Sequence, residues 1–270
     1  MPPIVKMLLP IIVVIIVIVI GFQIHWLIGI GLITASLVYA AITNRSILYA
    51  QRGNMAYMKG DEEKAVEMLE KAYQTGRAHP QFMIGYAYLL SKKKEVKKAE
   101  SILREILDKP LPEPLRIQAN VNLATVLWLD GRKDEAYELL AGLYPEYKTT
   151  QVYGNLGYFK LLRNEDLEQT LQFNLEAYDY NDDDLTIIDN LAQNYYFLGR
   201  YEEAREMYEK VMAKSPKSAD SYYYYALTLR ELGQLDEARE QIKLAQDKDL
   251  ALVTTLSKDQ IRSLMEELQA

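Results

Sequence analysis

The sequence contains no cysteine, two histidines and, within its first 43 residues, a single charged side chain, Lys6. The absence of cysteine excludes disulfides and thiolate catalysis. His25 and His79 lie in different parts of the chain and cannot form a metal site together. All 38 Asp and Glu and 30 of the 31 Lys and Arg follow Thr43. This acidic remainder argues against a nucleic-acid partner, since phosphate binding requires a basic surface.

What the first part of the chain has instead is a long apolar run, residues 7–42, interrupted midway by Gln23 and His25. A helix of these 36 residues would measure roughly 54 Å, against ~30 Å for a bilayer core. Tilting cannot absorb that excess. We therefore predict that residues 1–43 form a transmembrane helical hairpin in contact with lipid, with spans at about 4–21 and 26–43.

Charge predicts the orientation of the hairpin. Lys6 precedes the first span, Arg45 and Arg52 follow the second, and the turn carries no Lys or Arg. Positive residues stay in the cytoplasm, which places both ends of the hairpin and the rest of the chain there. The alternative is a single span or signal-anchor with the rest outside; a cleaved signal would need an A-x-A site. Gly31 and Ala35 are expected to pack against the first span.

The rest of the chain repeats with a period of 34 residues. A small residue marks each unit, with successive spacings of 34, 37, 34, 34 and 34: Ala65, Ala99, Ala136, Thr170, Ala204 and Ala238. A second small residue precedes it by 12 residues, or by 13 in the fourth unit: Gly53, Ala87, Ala124, Gly157, Ala192 and Ala226. Antiparallel helices approach to about 8–10 Å where the facing side chains are small. Each unit is therefore predicted to be helix, turn, helix.

This pattern resembles the tetratricopeptide repeat family, whose repeats have 34 residues and two helices. The matching residues are Leu191, Ala192, Tyr195, Gly199, Ala204, Tyr208 and Pro216 in the fifth unit, Tyr222, Ala226, Gly233, Ala238 and Ala245 in the sixth, and Tyr49, Gly53, Gly60, Ala65 and Ala72 in the first. The resemblance implies an all-α solenoid of about six helix–turn–helix repeats within residues 44–252. The predicted repeats are 46–79, 80–113, 117–150, 150–184, 185–218 and 219–252.

The sequence departs from the repeat in three places. The second unit has "SKKKE" where a glycine turn is expected, and residues 109–116 hold three prolines and are predicted to bend the array. The fourth unit has an extra residue in its turn and Thr170 in place of alanine, and is expected to be the least regular. Residues 253–270 are predicted to form a C-terminal capping helix, with Ser257 and Gln260 as a capping box.

No catalytic constellation emerges from the sequence, which predicts a protein that is not an enzyme and that holds no cofactor or metal. Residues 181–184, "NDDD", lack the spacing of an EF-hand and are predicted to cap the following helix. The glycines at 29 and 31 lie inside a predicted span rather than after a strand. They are therefore not a nucleotide-binding loop.

The resemblance implies that the first helix of each repeat lines a concave, peptide-binding groove. The residues expected to face it are Asn54, Tyr57, Tyr88, Asn122, Thr125, Trp128, Tyr158, Asn190, Gln193, Tyr196, Tyr223 and Arg230. Aromatic and amide side chains suit recognition, because they combine rigid contact area with hydrogen-bonding tips. The alternative is that they pack between neighbouring repeats. The single arginine argues against recognition of a C-terminal carboxylate.

Together these observations predict a membrane-anchored scaffold that binds a protein or peptide partner through the concave face of its repeats, on the cytoplasmic side. Two alternatives remain open at this stage. The same array could lie outside the membrane and assemble an envelope or secretion complex. It could also be a regulatory subunit of a membrane enzyme, with the hairpin packed on a transmembrane partner through Gly31 and Ala35.

Overall fold

The computed structural model describes the backbone of residues 3–164 and 166–269, and the side chains in those ranges except residues 3–8 and Pro10. The side chain of Lys6, on which the predicted orientation partly depends, lies outside the described residues. Fifteen α-helices and no strand occur in the described ranges, which confirms the predicted all-α fold. The chain forms two compact units, residues 1–86 and 87–270.

The first unit begins with two apolar helices, α1 (Pro3–Ile24) and α2 (Trp26–Thr43). His25 separates them in an extended conformation, with φ −165°, and its Nδ1 accepts the Leu27 N–H at 3.2 Å. A side chain added at Gly21 would come within 2.6 Å of Leu32, although eleven residues of straight helix would span about 16 Å. The chain therefore reverses at His25, and the break is confined to that one residue.

The expectation that Gly31 and Ala35 pack against the first helix is wrong. Both residues are exposed, and a Cβ at Gly31 would meet no atom within 4 Å. Gly29 is buried instead, beneath the ring of Phe22. The reason is register: a reversal at His25 turns Gly29, one helical turn further on, toward α1.

Both apolar helices expose their side chains. Leu37 is 65% exposed on α2 and Ile11 is 55% exposed on α1. Among the described residues, Trp26–Thr43 is the one helix long and apolar enough to cross a membrane, and Ile11–Ile24 forms a shorter apolar stretch. Apolar surface of this extent is stable in lipid or against another protein, and costly in water.

The next twelve helices follow one another as six helix–turn–helix pairs. They are α3 (Arg45–Met58) and α4 (Glu62–Gln74), α5 (Pro80–Lys92) and α6 (Val96–Leu107), α7 (Glu113–Leu129) and α8 (Lys133–Leu143), α9 (Thr150–Arg163) and α10 (Leu167–Tyr180), α11 (Leu185–Phe197) and α12 (Tyr201–Ala213), and α13 (Ala219–Glu231) and α14 (Leu235–Gln246). A final helix, α15 (Lys258–Gln269), packs against α14.

The small marker residues lie where the two helices of a pair meet. Ala192 and Ala204 are both fully buried, in a core that continues through Tyr208 and Val211 to α15. A larger side chain at these positions would separate the helices. The period of small residues in the sequence is thus the period of helix contacts in the fold.

The turns inside the pairs require a residue of positive φ. Gly199 supplies it in the fifth pair, with φ 72°. In the two units without a turn glycine, Lys94 and Asn164 adopt φ values of 63° and 52°. These non-glycine residues carry some strain, but the turn geometry is maintained.

The proline-rich stretch lies partly within a helix. Helix α7 begins at Glu113, so residues 114–116, which the predicted repeats left between 80–113 and 117–150, are helical. Pro114 lies in the first turn, where a missing N–H breaks no helical hydrogen bond. The three extra residues therefore lengthen α7 at its start.

The predicted helix caps are confirmed. Asp184 accepts the N–H groups of Thr186 and Ile187 and so begins α11. At the start of α15, Gln260 N–H donates to the Ser257 hydroxyl at 3.3 Å and Ser257 N–H donates to Gln260 Oε1 at 2.8 Å. These reciprocal bonds are the capping box expected there.

Candidate functional site

One face of the second unit carries a cavity of about 670 Å³. Helices α5, α7, α9, α11 and α13 line it, together with residues 214–218 and 251–253. None of its described lining residues lies within α6, α8, α10, α12 or α14. We call this cavity and its walls the inner groove. It is built by the first helices of the second to sixth pairs.

The sequence positions these walls by helical spacing. On α11 the polar lining residues are Thr186, Asp189, Asn190 and Gln193, at i, i+3, i+4 and i+7, which is one face of a helix. Leu185, the first residue of α11, also lines the cavity. The buried Ala192 lies on another face, toward α12. One side of α11 is therefore apolar and packs inside its repeat, while the other presents hydroxyl, carboxylate and amide groups to the groove.

The twelve residues predicted from the sequence divide into two sets. The inner groove brings together six of them: Tyr88, Asn122, Thr125, Tyr158, Asn190 and Gln193. Two more, Asn54 and Tyr57, lie on α3 in the first unit. The remaining four lie in the second unit outside the lining of the groove: Trp128, Tyr196, Tyr223 and Arg230.

Those last four residues pack or pair within the repeats. Trp128 is 8% exposed and stacks on Phe159, with ring centroids 4.4 Å apart. The rings of Tyr196 and Tyr223 lie 5.7 and 5.4 Å from that of Tyr224.

Arg230 forms an ion pair with Glu231 at 2.6 Å and another with Glu267 on α15 at 3.0 Å. This arginine thus joins α13 to the capping helix.

A stretch of the chain's own backbone occupies one end of the inner groove. We call residues 249–254 the C-terminal segment. Ala219 N–H donates to Asp249 O at 2.8 Å, and Asp220 Oδ2 accepts Ala251 N–H at 2.9 Å. From the opposite wall, the Tyr158 hydroxyl donates to Val253 O at 3.0 Å. Side chains of α9 and α13 therefore hold main-chain groups of this segment.

Asp220 is the main anchor of the C-terminal segment. It is 7% exposed, and besides Ala251 N–H its carboxylate accepts the hydroxyls of Ser218 and Thr254. Three donors therefore converge on this carboxylate. Both of its oxygens are thus engaged by the surrounding chain.

Asp189 is a second carboxylate, partly buried on the α11 wall. Burial raises its pKa to about 7; the Ser221 hydroxyl, a hydrogen-bond partner, opposes this, and the charge of Asp220 adds to it. Its Oδ1 atom is buried and accepts no hydrogen bond from any described residue. Sequence reasoning missed both Asp189 and Asp220. The polar i, i+3, i+4, i+7 stripe on α11 was the signal that could have indicated the first.

Structural rather than recognition roles are evident for the amides nearest the core. Asn190 Nδ2 donates to Gly154 O at 2.7 Å and so ties α11 to α9. Asn174 Nδ2 donates to Asn194 Oδ1, and Asn194 Nδ2 to Leu167 O, each at 3.0 Å. These bonds satisfy amide groups that the fold buries. Within the described residues, no group of three or more His, Cys, Asp or Glu could hold a metal ion.

Comparisons with known proteins agree on the repeat. Three family models described as tetratricopeptide repeats match residues 56–115, 92–170 and 190–249. A TPR repeat-containing protein of Methanocaldococcus jannaschii is 24% identical over 205 residues, which are 73% of this chain and 30% of that protein. The chain thus spans less than a third of the length of that relative.

Two solved structures share the fold at low identity. A tetratricopeptide repeat protein from Parabacteroides merdae has a TM-score of 0.66 at 14% identity, covering 95% of this chain and 99% of that one. PilF of Pseudomonas aeruginosa has a TM-score of 0.59 at 19% identity, covering 83% of this chain and 96% of its own. At such identities these structures support the fold and nothing more specific.

Proposed function

Because this chain belongs to the tetratricopeptide repeat family, we propose that it is a non-catalytic scaffold that holds a protein or peptide partner in the inner groove, at a membrane. The observation that carries the proposal is the C-terminal segment. It borders the groove as irregular chain with bends at residues 252 and 253, and its Val253 carbonyl and Ala251 N–H are bound by Tyr158 and Asp220. Walls that bind main-chain groups of this chain in this way are suited to bind the backbone of a peptide.

The free part of the inner groove has the size and chemistry for such a ligand. Its volume of about 670 Å³ falls in the range of small-molecule and short-peptide sites, roughly 300–1,000 Å³. Tyr88, Asn122, Thr125 and Gln193 line it with hydroxyl and amide groups. Such groups can donate to and accept from a peptide backbone, and the aromatic rings add apolar contact area.

The N-terminal helices support the membrane part of the proposal. Their apolar side chains are exposed in the described residues, and α2 is long enough to cross a bilayer. In our proposal α1 and α2 form a hairpin in lipid. Lys6, Arg45 and Arg52 then keep both of its ends, and the repeats, on the cytoplasmic side.

Crosslinking tests the proposed binding face. The full-length protein, expressed in its membrane, is crosslinked and recovered together with its partners. Tyr88→Ala removes a ring from the groove wall, whereas Tyr180→Ala removes a ring that is 52% exposed on α10. We expect Tyr88→Ala to lose partners that Tyr180→Ala retains, with both variants melting close to wild type. Equal recovery by the two variants would place the binding surface elsewhere.

A regulatory subunit of a membrane enzyme is the second candidate, because the face of α2 that carries Gly31 is exposed and a Cβ there would meet nothing within 4 Å. Small residues on an open face allow another transmembrane helix to approach. Replacing residues 1–43 by an unrelated hairpin separates the two functions. Retained partners favour the groove, and lost partners favour the helices.

A further inference from the structure

The two carboxylates of the inner groove differ in what they already bind. Asp220 accepts Ser218, Ala251 and Thr254, so its oxygens are engaged. Asp189, on the facing helix, keeps one buried oxygen that accepts no hydrogen bond from any described residue. A buried acceptor without a donor is destabilising. A ligand that supplies the missing donor is one physical reason for such a group to be kept.

The acidic and basic side chains that line the groove occupy different places. Asp189 and Asp220 lie in its walls, whereas the two lysines that line it, Lys214 and Lys217, are exposed at its edge. Lys214 is held by an ion pair with Asp183. The interior is therefore acidic, and the nearest cations are at the edge.

We propose that the inner groove recognises a basic side chain, Lys or Arg, of an extended peptide, and that the Asp189 carboxylate pairs with its cation. This inference rests on the proposed function, since it names the ligand of the same groove. Either cation donates several hydrogen bonds, and its positive charge complements the negative charge of the Asp189 carboxylate. The hydroxyl and amide groups of Tyr88, Asn122 and Thr125, which line the same cavity, bind the peptide backbone.

Titration of Asp189 gives the interaction a pH dependence with a defined sign. Its pKa is about 7, because burial disfavours the charged form. A cation binds the ionised carboxylate, so peptide affinity rises as the pH rises from 6 to 8. The fraction of ionised Asp189 increases about tenfold over that interval, which sets the largest expected change in affinity.

Few other groups can produce this effect. The charged and titratable side chains that line the cavity around Asp189 are Asp220 and Tyr224 from α13, Tyr158 from α9, and Lys214 and Lys217 from the stretch before α13. The two histidines of the chain are at positions 25 and 79, outside the second unit.

A peptide selection tests the specificity. A phage library of random decapeptides is selected at pH 8 on the full-length protein immobilised in detergent, and in parallel on Asp189→Asn. We expect peptides selected by the wild type to be enriched in Lys or Arg at one position, and peptides selected by Asp189→Asn to lack this enrichment. Asp179→Asn removes the same charge from an exposed site on α10 and should select as the wild type does.

The outcomes separate the two proposals. Peptides selected without any basic preference would overturn this inference and leave the peptide-binding function standing. Failure to select any peptide would overturn both.

A second measurement needs no variant. The anisotropy of the most enriched peptide, labelled with fluorescein at its N-terminus, is titrated with wild-type protein at pH 6 and pH 8. We expect affinity to be higher at pH 8 by up to about tenfold. The same affinity at both values, or tighter binding at pH 6, would contradict the pairing with Asp189.

Discussion

At the scale of single residues, the carboxyl of Asp189 makes the stability of the folded protein depend on pH. Its pKa is raised to about 7 by burial, so the folded state binds a proton more tightly than the unfolded chain does. Because the pKa of this carboxyl is higher in the folded state than in the unfolded chain, the group favours folding at low pH. This contribution to stability is lost as the pH rises from about 4 through 7. Above that range the folded protein holds an ionised, incompletely bonded carboxylate.

We therefore expect Asp189→Asn to stabilise the protein at pH 8. The neutral amide removes the cost of burying the charge, which is about 1–3 kcal/mol, or ~2–4 °C in melting temperature for each kcal/mol. At pH 4 the wild-type carboxyl is protonated in the folded state and about half protonated in the unfolded chain, so most of the gain should vanish. Thermal unfolding at both pH values checks this. An equal gain at pH 4 would mean that the charge is not what destabilises the wild type.

Two glycines give a matched pair of substitutions. A Cβ at Gly157 would collide with Oδ1 of Asn174, whose amide bonds to Asn194. A Cβ at Gly142, in α8, would meet nothing within 4 Å. Gly157→Ala should cost about 1–3 kcal/mol by overpacking, whereas Gly142→Ala should stabilise by about 0.4–1 kcal/mol through the unfolded chain. Thermal or denaturant unfolding distinguishes them, and shifts of the same sign would contradict the packing at Gly157.

The candidate site was partly predictable at this scale. Asn122 and Tyr158 follow from their place on a first helix, because helical periodicity fixes which face they occupy. Asp189 and Asp220 do not follow in the same way. An aspartate in a helix is ordinarily exposed, and their enclosure comes from the C-terminal segment and from a helix about 30 residues away along the chain. Such burial depends on tertiary contacts, which a single sequence does not display.

At the scale of helices, a stacked pair of rings joins α7 to α9. Trp128 is 8% exposed and lies 4.4 Å from Phe159 between ring centroids. The geometry favours the packing alternative for this residue over recognition. Arg132 also forms an ion pair with Glu100, whose side chain is 13% exposed. Its pair with Glu135 is exposed and of small energetic value.

Trp128→Ala should therefore unfold the repeats more readily. Removing a buried aromatic side chain costs about 3–5 kcal/mol, because the cavity left behind collapses only in part. The control is Trp26→Ala, which removes the other tryptophan of the chain, 59% exposed beside His25. Melting followed by circular dichroism should shift strongly for the first variant alone. Loss of partners at an unchanged melting temperature would instead mean that Trp128 contributes to partner binding.

The helices themselves were largely predictable, and the exceptions have physical reasons. Small residues at a 12-residue separation determine where two helices can meet, so pairs such as α11 and α12 follow from the sequence. The start of α7 does not, because prolines are compatible with both a linker and a first helical turn. The packing of α2 on α1 through Gly29 depends on a one-residue reversal at His25, and composition does not reveal the length of a turn.

At the scale of the whole molecule, the proposed topology can be tested cleanly because the chain has no cysteine. Single cysteines at Gln23 and Gln51, both exposed, should react with a membrane-impermeant thiol reagent from opposite sides of the membrane. Ser46, 3% exposed, would be a poor choice. In intact cells the hairpin predicts labelling of Gln23→Cys and protection of Gln51→Cys. The reverse pattern would place the repeats outside the cytoplasm.

The sequence consists of an apolar part and a repeating part, and each part is recognised by a pattern that spans dozens of residues. Patterns of that length survive substitution at any one position, which is why the fold was predictable. The partner could not be predicted from the sequence, because in our proposal it is selected by a few groups in the inner groove. Their arrangement depends on the assembled helices and on residues 249–254.

The C-terminal segment also has a consequence for kinetics. A tethered competitor has an effective concentration of the order of millimolar, however dilute the protein is. A partner that takes the segment's own place must displace it, and its apparent affinity falls by the fraction of time that the place is vacant. A partner that settles beside the segment avoids this penalty. Association measured over a range of partner concentrations distinguishes the two: displacement gives a rate that levels off at the rate of segment release, whereas direct docking gives a rate that keeps rising.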